Sequence, residues 1–335
     1  MTVLVTGSSG HLGEALMRTL RAAGREAVGI DIVPGPFTDW VGSIADRGFV
    51  AHCLRHAQTV IHAATLHKPH VDTHAREAFV ETNILGALIL LEEAVRGSVK
   101  SFVFTSTTSA FGDALKPPPG EPAAWIDESV VPVPKNIYGV TKTAAEDLCR
   151  LFSRNEGLAC IVLRTSRFFP EGDDDPEMRS AFADDNAKAN EFLFRRVAIE
   201  DVVEAHLLAA ELAPSIGFGR YIVSATTPFR REDLARLRAD APAVVRQRAP
   251  GWEGEYARRG WRMFASIDRV YDNALARREL GWRPKWDFAA VMARLRQTGD
   301  IRGPLASAIG EKGYHPKEKA ARRRPSRPDS ARPAD

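Results

Sequence analysis

The sequence predicts an α/β protein, a doubly wound parallel sheet with a smaller C-terminal domain, on three observations. Short β-rich runs alternate with helix-length segments over residues 3–224, the pattern of right-handed βαβ units with helices on both faces of one sheet. A glycine-spaced turn, Gly7-Ser8-Ser9-Gly10-His11-Leu12-Gly13, stands between the first strand and the first helix. The chain of 335 residues is long enough to bury one large core and a second, smaller one.

In chain order, residues 3–6 read as a strand, a helix starts at about His11, 27–31 is the second strand, a helix lies near 43–56, and 59–63 is the third strand. A long helix is expected over about 72–95, a strand at 101–105, a helix over about 137–156 and a strand at 159–164. Between 169 and 190 the pattern dissolves into an acidic stretch, GDDDPEMRSAFADDN, expected as a loop or lid. Residues 197–199 lead into a helix at about 201–212, and 221–224 is a further strand. Later short helices and turns offer Trp252, Trp261, Trp282 and Trp286 for a second core. The domains read as 1–168 with 197–226 returning to it, then 169–196 with 227–304 as a smaller substrate-binding unit. Residues 305–335 are a basic tail without apolar period, expected to be disordered.

Composition excludes several function classes. Apolar residues make up 44% and charged residues 27%, which is ordinary for a globular protein. The formal charge is +3, but residues 311–335, with eight Lys/Arg against four Asp/Glu, contribute about +4 of it. The remaining body is near neutral and offers no footprint for a polyphosphate backbone, so nucleic-acid binding is not expected. Cys53, Cys149 and Cys160 form no C-x-x-C pair and fit a reducing compartment rather than a disulfide framework. No export signal is expected ahead of MTVLVTG, and the apolar run 84–91 is too short to cross a bilayer. The expectation is a cytoplasmic protein with no membrane association.

A glycine turn that follows a strand and opens a helix is the setting of a dinucleotide site. The first glycine turns tightly, the second admits the pyrophosphate and the third lets helix pack on strand, with the anion at the positive helix end. Asp31 ends the second strand with no Arg or Lys in Ile32-Val33-Pro34. A carboxylate there accepts hydrogen bonds from a ribose diol and repels a 2′-phosphate, which favours NAD over NADP. The sheet is therefore expected to be a Rossmann domain.

Tyr138 and Lys142 stand four residues apart, on one face of the helix expected over 137–156. A phenol acting as a base near neutrality needs its pKa lowered by roughly three units, which a neighbouring ammonium and an oxidised nicotinamide together supply. By itself Y-x-x-x-K is a common spacing on exposed helices.

Together these motifs make residues 1–300 resemble the extended short-chain dehydrogenase/reductase family, in its NAD-dependent epimerase/dehydratase, UDP-glucose 4-epimerase-like branch. Further matching segments are His62-Ala63-Ala64, Asn83-Ile84-Leu85-Gly86, Ser106-Thr107-Thr108-Ser109-Ala110-Phe111-Gly112, Leu163-Arg164, Ile199-Glu200-Asp201-Val202 and Leu280-Gly281-Trp282-Arg283-Pro284. The resemblance implies Thr107, Tyr138 and Lys142 as catalytic residues. It implies NAD bound by Gly7, Ser9, Gly10, His11, Leu12, Gly13, Asp31, Ser43, Ile44, Ala63, Ala64, His67, Asn83 and Thr105 together with Tyr138 and Lys142. The substrate, a sugar, sugar derivative or nucleotide sugar, would meet His67, Thr107, Thr108, Ser109, Tyr138, Arg167 and Phe168. A homodimer through the helices at 72–95 and 137–156 is expected by the same analogy.

Departures from the family pattern bear on substrate. Ser43 replaces an acidic residue in Gly42-Ser43-Ile44-Ala45-Asp46, which puts one adenine contact in doubt. Thr108-Ser109 stand where dehydratases carry Asp-Glu, so dehydration is disfavoured. Arg167 stands where nucleotide-sugar epimerases carry Asn, and the insert before Ile199 is short and reads Phe194-Arg195-Arg196-Val197-Ala198. His67, His70 and His74 lack a carboxylate cluster or tetrahedral spacing, so no metal is expected. The expected activity is Tyr-assisted hydride transfer at a hydroxyl-bearing carbon, as an epimerase, with a simple NAD-dependent dehydrogenase of a small sugar, uronate or other alcohol as the alternative. A non-catalytic NAD-binding sensor or scaffold is the alternative from another class.

Overall fold

The computed structural model describes residues 2–313. Its strands are β1 (Thr2–Thr6), β2 (Ala27–Asp31), β3 (Trp40–Val41), β4 (Ala57–His62), β5 (Ser101–Thr107), β6 (Ala124–Ile126), β7 (Cys160–Thr165), β8 (Phe218–Val223) and β9 (Arg269–Tyr271). Seven form one parallel sheet of order β3-β2-β1-β4-β5-β7-β8. The chain runs outward from β1 through β2 to β3, then returns to β4 and runs outward the other way. The crevice at the carboxyl ends of β1 and β4 is thus the topological switch point, where open α/β sheets bind ligands.

Alternation along the strands explains why helices cover both faces. Val3, Val5, Ile61, Val103, Ile161 and Leu163 bury against the helices His11–Ala22 and Ile199–Ile216. The intervening Leu4, Val60, Phe102, Phe104 and Val162 bury against Arg47–Leu54, Gly86–Arg96 and Ile137–Glu156. Successive side chains on a strand point to opposite faces, and in a parallel sheet both faces are covered. Exposed Val80, Leu85, Val140 and Leu151 lie on the two helices expected to meet a second copy. Among the described residues no helix is long and apolar enough to cross a membrane.

Several elements differ from expectation. The long helix starts at Arg76 and passes through a π-turn, Val80–Leu85, before Gly86–Arg96; residues Lys68–Asp72 form a separate 3-10 turn. The acidic stretch joins no sheet but holds two short helices, Pro176–Ala181 and Asp184–Glu191, the first capped by the Asp175 carboxylate accepting from Glu177 N at 2.9 Å. The edge strand β3 and the parallel pair β6–β9 are too short for sequence periodicity to reveal. Trp252, Trp261 and Trp286 belong to the second core with Phe264, Val291 and Leu295. Trp282 does not: it packs in the core of the large sheet, its indole donating to the Asp201 carbonyl at 3.0 Å.

The beginning of the expected disordered tail is ordered. Pro304–Ile309 is a helix, and the amides of Leu305 and Ala306 donate to Glu200 Oε1 at 3.0 and 3.2 Å. Long-range partners on the main domain provide the order that its composition does not. Residues 314–335, the rest of that stretch, lie outside the described residues.

One buried ion pair ties the sheet to the Ile137–Glu156 helix. Glu146 accepts from Arg164 Nη2 at 2.7 Å and Nε at 3.0 Å, and from Ser106 Oγ at 2.5 Å, with both charged side chains 1% exposed. Removing one partner leaves a buried charge uncompensated, which costs about 3–5 kcal/mol. Denaturant unfolding of Glu146→Ala should show a loss of that size; a loss under about 1 kcal/mol, the worth of an exposed pair, would contradict the assignment.

Candidate active site

A cavity of about 1290 Å³, including its open mouth, starts at Gly7, Gly10, Leu12, Gly13 and Ala63 at the switch point and reaches Arg195, Arg269 and Tyr271 beside the second core. The glycine turn has the shape a dinucleotide needs. Gly7 sits at φ +76°, where a Cβ would lie 2.8 Å from Ala64 N, and a Cβ on Gly13 would lie 1.9 Å from the Gly7 carbonyl oxygen. No side chain fits at either place, so helix and strand are in direct backbone contact. Leu12 and Gly13 are in the first turn of the helix, whose N–H groups have no intrahelical acceptor, and both line the cavity. Asp31 accepts from Ser9 N and Val33 N, each at 3.0 Å, which holds its carboxylate at the end of β2 beside the turn. These residues fit NAD.

The reacting end is built from β5 and one helix. Asn136 caps that helix, its side chain accepting from Gly139 N at 3.0 Å, so Tyr138 falls in the first turn and Lys142 one turn later on the same face. Thr107 ends β5, accepts from Ser109 N at 3.1 Å and lines the cavity together with Tyr138. Lys142 Nζ donates to the Thr105 carbonyl at 2.6 Å and lies 4.1 Å from the centre of the Phe104 ring. All three candidate catalytic residues line the cavity and are buried.

Burial dominates the electrostatics here. It pushes the Tyr138 phenol up to about 12, with the Thr107 hydroxyl pulling the other way. It also pulls the Lys142 amine down to about 7, against the Glu146 carboxylate. The protein's own groups therefore do not by themselves lower the phenol: the amine is engaged by a carbonyl and a ring, and desolvation outweighs the Thr107 hydroxyl. Burial holds His67 at about 3, so its imidazole is neutral at physiological pH.

Gly7, Gly10, Leu12, Gly13, Ala63, His67, Thr105, Thr108, Ser109, Arg167 and Phe168 line the same cavity. Other residues inferred for the cofactor stand behind it. His11 is buried with Nε2 3.1 Å from Glu171 Oε1. Ile44 packs on Gly86, where a Cβ would lie 2.7 Å from its Cδ1, and exposed Ser43 accepts from Ala45 N. Asn83, carried by the π-turn, accepts from Leu66 N and Thr65 Oγ1 and donates to Leu66 O and Thr141 Oγ1, at 2.9–3.2 Å. It positions Thr65, which faces the cavity, rather than facing it. Arg167 is turned to Asp173 at 2.8 Å and to the Gly172 carbonyl at 2.9 Å.

Some supporting residues gave no sequence signal. Thr6 Oγ1 accepts from Ala63 N and Ala64 N at 3.2 and 3.1 Å and so donates to His62 Nδ1 at 2.8 Å, pinning the second cofactor-side turn. His206 donates from Nδ1 to the Val202 carbonyl and accepts from Thr105 Oγ1, both at 2.8 Å. Glu171, Arg195, Arg269 and Tyr271 also line the cavity; the alternation Arg269-Val270-Tyr271 was the one available cue. Glu171 is held down at about 2: burial raises it, but the His11 hydrogen bond and charge outweigh that.

A family model described as "NAD dependent epimerase/dehydratase family" matches residues 3–221. The chain is 28% identical over 338 residues to a dTDP-glucose 4,6-dehydratase of Streptomyces antibioticus, covering 88% of this chain and 91% of that protein. It is 26% identical over 332 residues to a UDP-glucose 4-epimerase of Rhizobium meliloti (strain 1021), covering 86% and 94%. Among solved structures, a UDP-glucose 4-epimerase with UDP-glucose from Thermotoga maritima superposes with a TM-score of 0.60 at 24% identity, over 90% of this chain and 100% of that one. The structural likeness bears on the fold.

The depressed Lys142 pKa has a consequence for stability. Between about 7 and its ordinary value of 10.5 the unfolded chain holds a proton the folded chain lacks, so folding gains stability as pH rises through that window, by about 1.4 kcal/mol per unit. Lys142→Met lacks this term. Unfolding of the two proteins from pH 6 to 10 should show the native chain gaining on the variant above about pH 7; a constant difference would contradict the burial assignment.

Proposed function

The chain belongs to the NAD-dependent epimerase/dehydratase family, and from that premise we propose that it epimerises a sugar-type substrate by hydride transfer at a hydroxyl-bearing carbon, with Tyr138 as acid/base. NAD is its cofactor: bound against Gly7, Gly10 and the first turn of the His11–Ala22 helix, with its ribose at Asp31, it supplies the hydride acceptor and donor. The observation that supports the reading is the convergence of buried Thr107, Tyr138 and Lys142 in the cavity that begins at the glycine turn.

Tyr138 takes the proton of the substrate hydroxyl as the carbon beneath it is oxidised, and returns it to the carbonyl oxygen on reduction. Thr107 holds the same oxygen in place through its hydroxyl. Lys142 holds the nicotinamide ribose and, when protonated, favours the phenolate. Retention of the ketone and return of hydride to its other face make the reaction an epimerisation; release of the ketone makes it a dehydrogenation. Dehydration is disfavoured because Thr108 and Ser109 follow Thr107 where an elimination needs acidic groups. A non-catalytic sensor has no use for Thr107, Tyr138 and Lys142 buried together in the cleft.

The test is to incubate the protein with NAD and a panel of sugars, uronates and nucleotide sugars while following reduced nicotinamide and sugar stereochemistry. Inverted product without net NADH supports the epimerase, and net NADH the dehydrogenase. Tyr138→Phe should lower turnover roughly a hundred- to ten-thousandfold while NAD still binds; unchanged turnover would refute the role of Tyr138.

A further inference from the structure

We propose that Arg195, Arg269 and Tyr271 form a subsite for an anionic group of the substrate, a carboxylate or a phosphate ester borne away from the reacting carbon. Arg269 and Tyr271 are alternate residues of β9, so both point to one side, into the cavity, while Val270 between them is fully buried in the second core. The Tyr271 amide donates to the Phe194 carbonyl at 3.1 Å, which lays β9 against Arg195. Arg195 interacts electrostatically with Tyr271 and Asp268 across that contact. Its neighbour Arg196 takes the opposite side, buried against Glu191 at 3.2 Å and the Phe169 carbonyl at 2.7 Å.

Each of the two guanidinium groups is anchored by carboxylates through one nitrogen and keeps its other terminal nitrogen without a hydrogen bond. Arg195 Nη2 lies 2.8 Å from Glu191 Oε1 and 3.6 Å from Asp173 Oδ2, a carboxylate it shares with Arg167, and Arg269 Nη1 donates to both Asp268 oxygens at 2.8 and 2.9 Å. Arg195 Nη1, Arg269 Nη2 and the Tyr271 hydroxyl make no hydrogen bond among the described residues. The other cations at this end are engaged: Arg167 by Asp173 and Lys68 by Asp174. Two oriented guanidinium edges beside a phenol match a planar carboxylate or a phosphate. A neutral hydroxyl would use at most one of those charges.

This inference rests on the redox reading for where the substrate lies, but its test needs no turnover. The NAD-loaded full chain is titrated calorimetrically with D-glucuronate, D-glucose 6-phosphate and D-glucose. At least one anion should bind roughly ten- to a hundredfold tighter than glucose, and which one does so identifies the group. That preference should collapse in Arg269→Gln, return in part in Arg269→Lys, and weaken in Tyr271→Phe, which removes a single hydroxyl and leaves the fold's charges intact. Glucose binding as tightly as both anions, or a preference that survives Arg269→Gln and Tyr271→Phe, would overturn the subsite. A protein that prefers the anion yet turns nothing over keeps the subsite and loses the redox reading, and one that turns over sugars without the preference does the reverse.

Discussion

A phenol and an amine are kept from water in one cleft, each at a cost to its charged form, and the architecture is arranged to hold them there. Tyr138, Lys142 and Glu146 recur at four-residue spacing, one stripe of a helix laid on the carboxyl ends of β5 and β7. Glu146 closes the stripe by accepting from Arg164 and Ser106, and Lys142 is fixed on the Thr105 carbonyl. A hydrophobic helix face would pack with less electrostatic penalty. On the proposed function, that penalty is the cost of placing these residues where a hydroxyl and a nicotinamide would meet.

The rest of the molecule supplies the two ends of this cleft. At one end Gly13 lies against the Gly7 carbonyl so closely that no side chain is admitted, and the resulting turn presents backbone N–H groups rather than charged side chains to a dinucleotide. At the other end β9 and the segment around Arg195, whose neighbours Val270 and Phe194 lie in the second core, present guanidinium edges. On the proposed function, oxidation chemistry at Tyr138 and recognition of the substrate's anionic group would be divided between the large sheet and the second core. The His11–Glu171 pair and the amide of Lys312, which donates to Glu171 at 2.8 Å, bring the end of the described chain to the rim of the same cleft.

Local signals made the core of this arrangement legible in the sequence. The glycine turn is set by contacts within a few residues, and the helix Ile137–Glu156 matches expectation because Asn136 caps its start and Gly157, in the left-handed region at φ +70°, ends it. Long-range signals were not legible. Strands β6 and β9 are three residues each and pair across more than a hundred positions. The order of Pro304–Ile309 depends on Glu200, and Trp282 joined the large core because the Asp201 carbonyl accepts its indole proton. Asn83 and His11 were placed against the cofactor by analogy; a π-turn redirects the first to the 65–66 loop, and a carboxylate partner retains the second in the interior. Without NAD, burial sets the Tyr138 phenol above its ordinary value, a term the Tyr/Lys spacing does not report, since spacing shows which groups are close but not how much water each has lost.

The central claim is that the phenol of Tyr138, set near 12 by burial, becomes able to lose its proton when the positively charged form of NAD lies beside it. The most direct measurement is the phenolate absorbance of the native chain minus that of Tyr138→Phe, titrated with pH with and without oxidised NAD. The account predicts a transition that moves down by several units when NAD is bound. A phenol that still titrates near its unliganded position with NAD in place would contradict it.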